Sequence, residues 1–146
     1  MDHLLRLVEE NGLRLVERTG PTRGGYDHTS STIRLAPGMS VRTTTSVLAH
    51  ELGHAVLGHT VSRDPKTRAR QERCADEWAA RALITPASYA AAEAARGTHR
   101  ASLAFELGVT VELVDAYRRM LQRIGDNTYV SPRMGTGQWA DRVTAG

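Results

Sequence analysis

Hydrophobic positions change their spacing several times along this chain, and each change marks an element. Over Asp2–Glu10 the apolar residues Leu4, Leu5, Leu7 and Val8 gather on one side of a helical wheel, and Asn11-Gly12 supplies a stop. Leu13–Glu17 reads as a strand and Thr19–Gly25 as a loop. Gly25–Asp27 and Thr32–Ala36 then pair as a hairpin around Asp27-His28-Thr29-Ser30, with Ile33 and Leu35 on the core face and Pro37-Gly38 closing it. A helix follows around Ala49–Ala55, with Thr43, Thr44, Thr45 and Ser46 as candidate caps and Gly58 as its stop. Measured from His50 at about 100° per residue, Leu48, Leu52, Ala55 and Val56 lie on the far side. That helix can bury one face and turn the other to a cleft.

The second half of the chain reads as helices alone. Asp64-Pro65 opens one that runs to about Ile84, and Thr85-Pro86 caps the next, which Gly97 closes. Arg100–Arg119 scans as a helix, a tight turn at Gly108 and a second helix capped by Thr110. Ala104, Gly108 and Val114 stand where a helix-turn-helix needs a small residue, a turn glycine and a buried apolar one. Residues 126–146, rich in Gly, Thr and Arg, predict an irregular tail with Trp139 as its one large anchor. A few strands followed by a run of helices predict an α+β fold.

Composition narrows the setting. With 146 residues, 40% hydrophobic and 24% charged, the chain suits one globular domain over residues 1–125. No apolar run is long enough to cross a bilayer, and the N-terminus lacks the basic and apolar regions of a leader, so no membrane is expected. Cys74 is the single cysteine, which excludes an internal disulfide framework and agrees with a reducing, cytoplasmic setting. The formal charge is only +3. That is weak ground for a nucleic-acid partner.

The chemistry concentrates in Ala49-His50-Glu51-Leu52-Gly53-His54-Ala55. Residues four apart on a helix stack on one face, about 40° apart, so His50 and His54 can grip one ion. Glu51 then lies beside the ion without ligating it, placed to take a proton from water and return it to a leaving group. Imidazole pairs of this kind suit zinc, which keeps an open position and acidifies the water it holds. A third histidine in the metzincin position is excluded, because that position is Thr60. His59 falls about 180° from His50 if the helix continues, and reads as a helix-end or packing residue. On the following helix Glu72 can complete the ligand shell while Asp76 reaches the far nitrogen of a ligand histidine, with Glu77 as a spare ligand. Alanines at 75, 79, 80 and 82 let that helix come close to the metal helix.

The pairing of Ala49-His50-Glu51-Leu52-Gly53-His54 with Glu72-Arg73-Cys74-Ala75-Asp76-Glu77-Trp78-Ala79 and the stretch up to Pro86 resembles the ImmA/IrrE family of bacterial and phage metallopeptidases. The resemblance extends in layout over residues 4–125, and Thr85 stands where the family often has methionine. It implies His50, His54 and Glu72 as zinc ligands, Glu51 as general base and Asp76 as the carboxylate that orients a zinc histidine. It implies a protein substrate, a helix-turn-helix repressor of a phage, mobile element or stress regulon, cut at a narrow choice of site.

The reading is therefore an α+β, zincin-like metallopeptidase core: a small antiparallel sheet, a metal helix, a glutamate helix and a C-terminal helix-turn-helix-like pair. The oxyanion-stabilising group is open among Tyr26, His28, Tyr89 and His99. Two rivals act by binding rather than cutting: a DNA-binding protein and a toxin–antitoxin-type regulator. Glu112 and Asp115 at the start of the last helix oppose the first of these, since a recognition helix places its early residues among phosphates. Arg118, Arg119 and Arg123 come too late to read bases, although they can reach a backbone.

Overall fold

The computed structural model describes residues 1–125, and the tail with Trp139 lies outside them. Contacts divide the chain into two compact units, Met1–Ala79 and the residues from Ala80 onward.

In the first unit, Leu4 and Val8, one helical turn apart, are the buried residues of α1 (Asp2–Glu10). The chain then forms β1 (Arg14–Glu17), β2 (Gly24–Asp27) and β3 (Thr32–Leu35), arranged in the order β1-β3-β2. The expected hairpin is present, with Tyr26 opposite Ile33 and Gly24 opposite Leu35. The sheet as a whole, however, is mixed rather than antiparallel, because β1 joins the other edge of β3 in parallel, with Leu15 opposite Ile33. The physical reason is the loop of residues 18–23, which carries the chain past the end of β3 so that β3 returns between its predecessors. The Arg34 guanidinium pins that loop, donating to the carbonyl of Arg18 at 2.9 Å and to the carbonyl and hydroxyl of Thr22 at 2.8 and 2.9 Å. Gly20 makes room for it, since a Cβ there would stand 2.7 Å from the guanidinium carbon.

Ile33 and Leu35 are buried on one face of the sheet, which α2 (Val41–Val56) covers. The helix starts earlier than the run of threonines suggests. Ser40 is its cap, accepting from the Thr43 N–H at 3.1 Å, and Thr43–Ser46 lie inside the first turns. Leu48 and Leu52 are fully buried as the wheel predicts, whereas Val56 at the helix end is exposed.

Asp64 opens α3 (Pro65–Leu83) by accepting from the Thr67 N–H at 3.2 Å and its hydroxyl at 2.7 Å. Gly53 decides how near α2 and α3 come. A Cβ on it would lie 2.9 Å from the Ala75 carbonyl oxygen and 3.1 Å from the Ala75 Cα. Backbone thus meets backbone, and every side chain on the facing turns is brought in with it.

The second unit contains α4 (Pro86–Arg96), α5 (Arg100–Leu107) and α6 (Val111–Gly125). A reciprocal cap between Thr85 and Ser88 starts α4. Gly108, at φ +69°, makes the left-handed turn between α5 and α6, and Ala104 and Val114 are buried beside it as the sequence pattern requires. Tyr89, Leu103, Val109 and Leu113 fill the core of this unit. Among the described residues, no helix is long and apolar enough to cross a membrane.

Candidate metal centre

The close approach of α2 and α3 converts two separate helical faces into one cluster. His50 and His54 are one turn apart on α2, and their Nε2 atoms face each other at 3.1 Å. Glu72 reaches across from α3 and spans both. Its Oε2 stands 2.9 Å from His50 Nε2, and its Oε1 stands 3.3 Å from His54 Nε2. Asp76, one turn after Glu72, lies behind His50, with Oδ1 2.7 Å from Nδ1. The sequence-predicted residues His50, His54, Glu72 and Asp76 are therefore together.

These positions suit a tetrahedral ion. Ligand atoms about 2.0–2.1 Å from zinc stand about 3.3 Å from one another, close to the three separations seen here. Two imidazoles and one carboxylate are also the donor set of catalytic zinc sites that keep one position open. Glu51 is a second carboxylate in the neighbourhood, within 4.8 Å of both imidazoles. Glu72 is in hydrogen-bonding contact with both Nε2 atoms, and its carboxylate could complete a ligand set with them. The half-buried Glu77 lies about 140° around the helix from Glu72.

The electrostatics separate the two carboxylates further. Glu51 is 7% exposed, and burial pushes its pKa up, partly offset by the two histidines. Its neighbour on the sheet is Gly24, where a Cβ would lie 2.5 Å from Val47 Cγ1 and 3.2 Å from Glu51 Oε2. Glu72 goes the other way: hydrogen bonds with His50 and His54 hold its carboxyl far below the ordinary range, against a smaller effect of partial burial. For His50, burial alone lowers the pKa, but the bonds to Asp76 and Glu72 and the charge of Glu51 together raise it from 6.5 to about 10.

His59 is the helix-end packing residue that the sequence pattern expects, but it does not lie on the far side of a continuing helix, because α2 ends at Val56, Leu57 caps it and Gly58 turns the chain at φ +71°. The His59 ring comes back to His54, Nδ1 to Nδ1 at 2.9 Å. Its pKa is lowered, first by burial and then by the neighbouring His54. The available signal was Gly58 itself, since a glycine just past a helix end reverses the chain and ends any wheel extrapolation.

The oxyanion candidates separate as well. Tyr89 is fully buried, tilted against Tyr117 at 5.0 Å, and takes a hydrogen bond from Arg118 Nε at 3.3 Å. His99 is the cap of α5, accepting through Nδ1 from the Ser102 N–H at 3.4 Å. Both have structural work inside the second unit. Tyr26 is half-buried, and shares with Gly24 the face of β2 that carries Ile33 and Leu35 across the hairpin. His28 lies beyond it in the exposed turn, with its ring 6.5 Å from that of Tyr26.

A family model described as IrrE N-terminal-like domain, Peptidase M78, matches residues 8–117. No curated protein and no solved structure matches the chain significantly.

Proposed function

Because this chain belongs to the IrrE N-terminal-like family of M78 peptidases, we propose that it is a zinc-dependent, site-specific endopeptidase that cleaves a helix-turn-helix transcriptional repressor. The family and the His50-Glu51-His54 group point to a metal-dependent peptidase. The single observation that carries the zinc assignment is the convergence of His50 Nε2, His54 Nε2 and the Glu72 carboxylate at 2.9–3.3 Å.

Each residue has a defined task in this reading. His50, His54 and Glu72 hold the metal, and Asp76 keeps the His50 proton on Nδ1 so that the Nε2 lone pair faces the ion. When bound, zinc polarises the scissile carbonyl and acidifies the attacking water. Glu51 takes the proton of that water and delivers it to the departing amine, and burial pushes its pKa up, which strengthens it as a base. β2 is an edge of the three-stranded sheet and passes beside Glu51 at Gly24. An extended substrate segment can add to that edge through main-chain hydrogen bonds, which supports a polypeptide substrate. Tyr26 on the same strand and His28 in the turn beyond it are the remaining oxyanion candidates.

The repressor and the cytoplasmic location are supported by the resemblance of the two motifs to the ImmA/IrrE family rather than by any contact in the structure. Incubating the purified protein with repressors encoded beside its own gene tests the substrate. Cleavage at one site, lost on chelation and restored by zinc, is the expected result. Glu51→Gln should retain zinc and lose cleavage. Retained cleavage in that variant would remove Glu51 from the mechanism.

A second reading rests on the succession of α5, a left-handed turn at Gly108 and α6, the element order of a helix-turn-helix. Its charges favour internal use. Arg100 pairs with Asp115 at 2.5 Å, and Arg118 bonds Tyr89 and the Thr98 carbonyl. A salt-dependent gel shift would favour DNA binding, and a biological effect that survives Glu51→Gln would favour a toxin–antitoxin-type regulator.

A further inference from the structure

The two histidines of the centre are supported in different ways. An imidazole that offers Nε2 to a metal carries its proton on Nδ1, and that N–H needs an acceptor to fix tautomer and ring orientation. For His50 the acceptor is the Asp76 carboxylate, 2.7 Å from Nδ1. The group facing His54 Nδ1 is another imidazole, the Nδ1 of His59 at 2.9 Å. Two ring nitrogens at that distance share one proton. If His54 donates it, His59 accepts and carries its own proton on Nε2.

Backbone geometry places His59 there. Beyond the helix cap at Leu57, Gly58 adopts φ +71° and its N–H reaches the Ala55 carbonyl at 3.2 Å, while the His59 N–H reaches the His54 carbonyl at 2.9 Å. These are the two bonds of a Schellman motif, so His59 is bound to His54 through backbone as well as ring. The rings stand edge to face, with centroids 5.1 Å apart and planes at 64°. Gly58 has open space where a Cβ would be, so only the left-handed conformation calls for glycine there.

We infer that His59 is a positioning residue that holds His54 in the metal-ligating tautomer and orientation, the counterpart on α2 of Asp76 on α3. The inference rests on the zinc reading of the centre. It assigns the loop after α2 a part in metal affinity, and it predicts that the His54 side, whose partner is an imidazole and not a carboxylate, is held less firmly than the His50 side.

Two substitutions separate hydrogen bonding from packing. His59→Phe keeps a ring against His54 and removes the acceptor, whereas His59→Asn removes the ring and keeps an oxygen where Nδ1 stood. Zinc affinity is measured on the full chain by chelator competition, and the visible spectrum is recorded after cobalt substitution. His59→Phe should weaken zinc binding on the order of 10-fold, at the lower end of the range for such orienting partners, and should alter the cobalt spectrum. His59→Asn should remain within about 3-fold of wild type, well short of that effect. The reverse order, or two variants indistinguishable from wild type, overturns the inference. Wild-type protein that binds no zinc would instead overturn the zinc reading, and this inference with it; His50→Ala, which should lose binding altogether, keeps the two failures apart.

Discussion

Both units bring polar residues close to a helix pair, and they use them differently. In the second unit polar groups satisfy one another locally. Thr85 and Ser88 exchange capping bonds, His99 caps α5, and Arg100 closes on Asp115. In the first unit His50, His54 and Glu72 meet through atoms that all favour a cation at their common centre, and Glu51 is buried beside them. Histidine shows the contrast best: one histidine caps a helix in the second unit, whereas three lie ring against ring in the first. Chemical potential thus follows from convergence, not from residue type. What creates the convergence is a pair of backbones brought together at a glycine.

The most direct way to break the contrast is to remove the group that the first unit keeps for chemistry. Glu51→Gln should lower peptide hydrolysis by about 10²–10⁴-fold, the range for a general acid–base residue, with zinc still bound by chelator competition. Proton linkage comes next. Since His50 in the metal-free protein keeps its proton up to about 10, zinc must displace it, and apparent affinity should rise on the order of tenfold per pH unit through neutrality. A plateau above the ordinary histidine value of 6.5 would show that His50 is not held protonated. The same shift affects the stability of the chelated protein. The folded-state pKa of His50 lies above 6.5, so its stabilisation is complete below that pH and is lost as pH rises through about 10. Glu72 has the opposite sign: its lowered pKa stabilises above 4.5, and the effect is lost as pH falls below that value. Denaturant titrations across this range would detect both limbs.

Smaller effects sharpen the comparison. Asp76→Asn should reduce zinc affinity about 10–100-fold, as for other residues that orient a metal ligand, without changing the helix content seen by circular dichroism. Gly53→Ala should cost about 1–3 kcal/mol through overpacking, read by urea denaturation. It should also weaken zinc binding, because α3 must withdraw and Glu72 goes with it. In the second unit, Thr85→Ala should cost about 0.5–2 kcal/mol by loss of a cap and leave zinc affinity unchanged. A large drop in affinity there would contradict the division of labour between the units.

Much of this was legible in the chain because it depends on local spacing. An i,i+4 histidine pair shares a helical face whatever surrounds it, and Asp64-Pro65, Thr85-Pro86 and Gly108 mark their helix boundaries by backbone chemistry alone. Glu72 and Asp76 could be proposed together for the same reason, being one turn apart. Extrapolation failed where a feature depends on chain reversal. The parallel entry of β1 follows from a crossing loop held by Arg34, and the return of His59 follows from the left-handed turn at Gly58. Tyr89 and His99, plausible by residue type, proved to be a core residue and a helix cap.

Sequence by itself determined the helices, the caps at Asp64 and Thr85 and which donor atoms each helical face offers, because those follow from periodicities of a few residues. Only tertiary structure decided that Glu72 on one helix meets His50 and His54 on another, that Gly24 passes beside Glu51, and that His59 faces His54. Those are contacts between faces whose separation depends on how closely backbones pack and where the chain turns back. No single spacing encodes that distance.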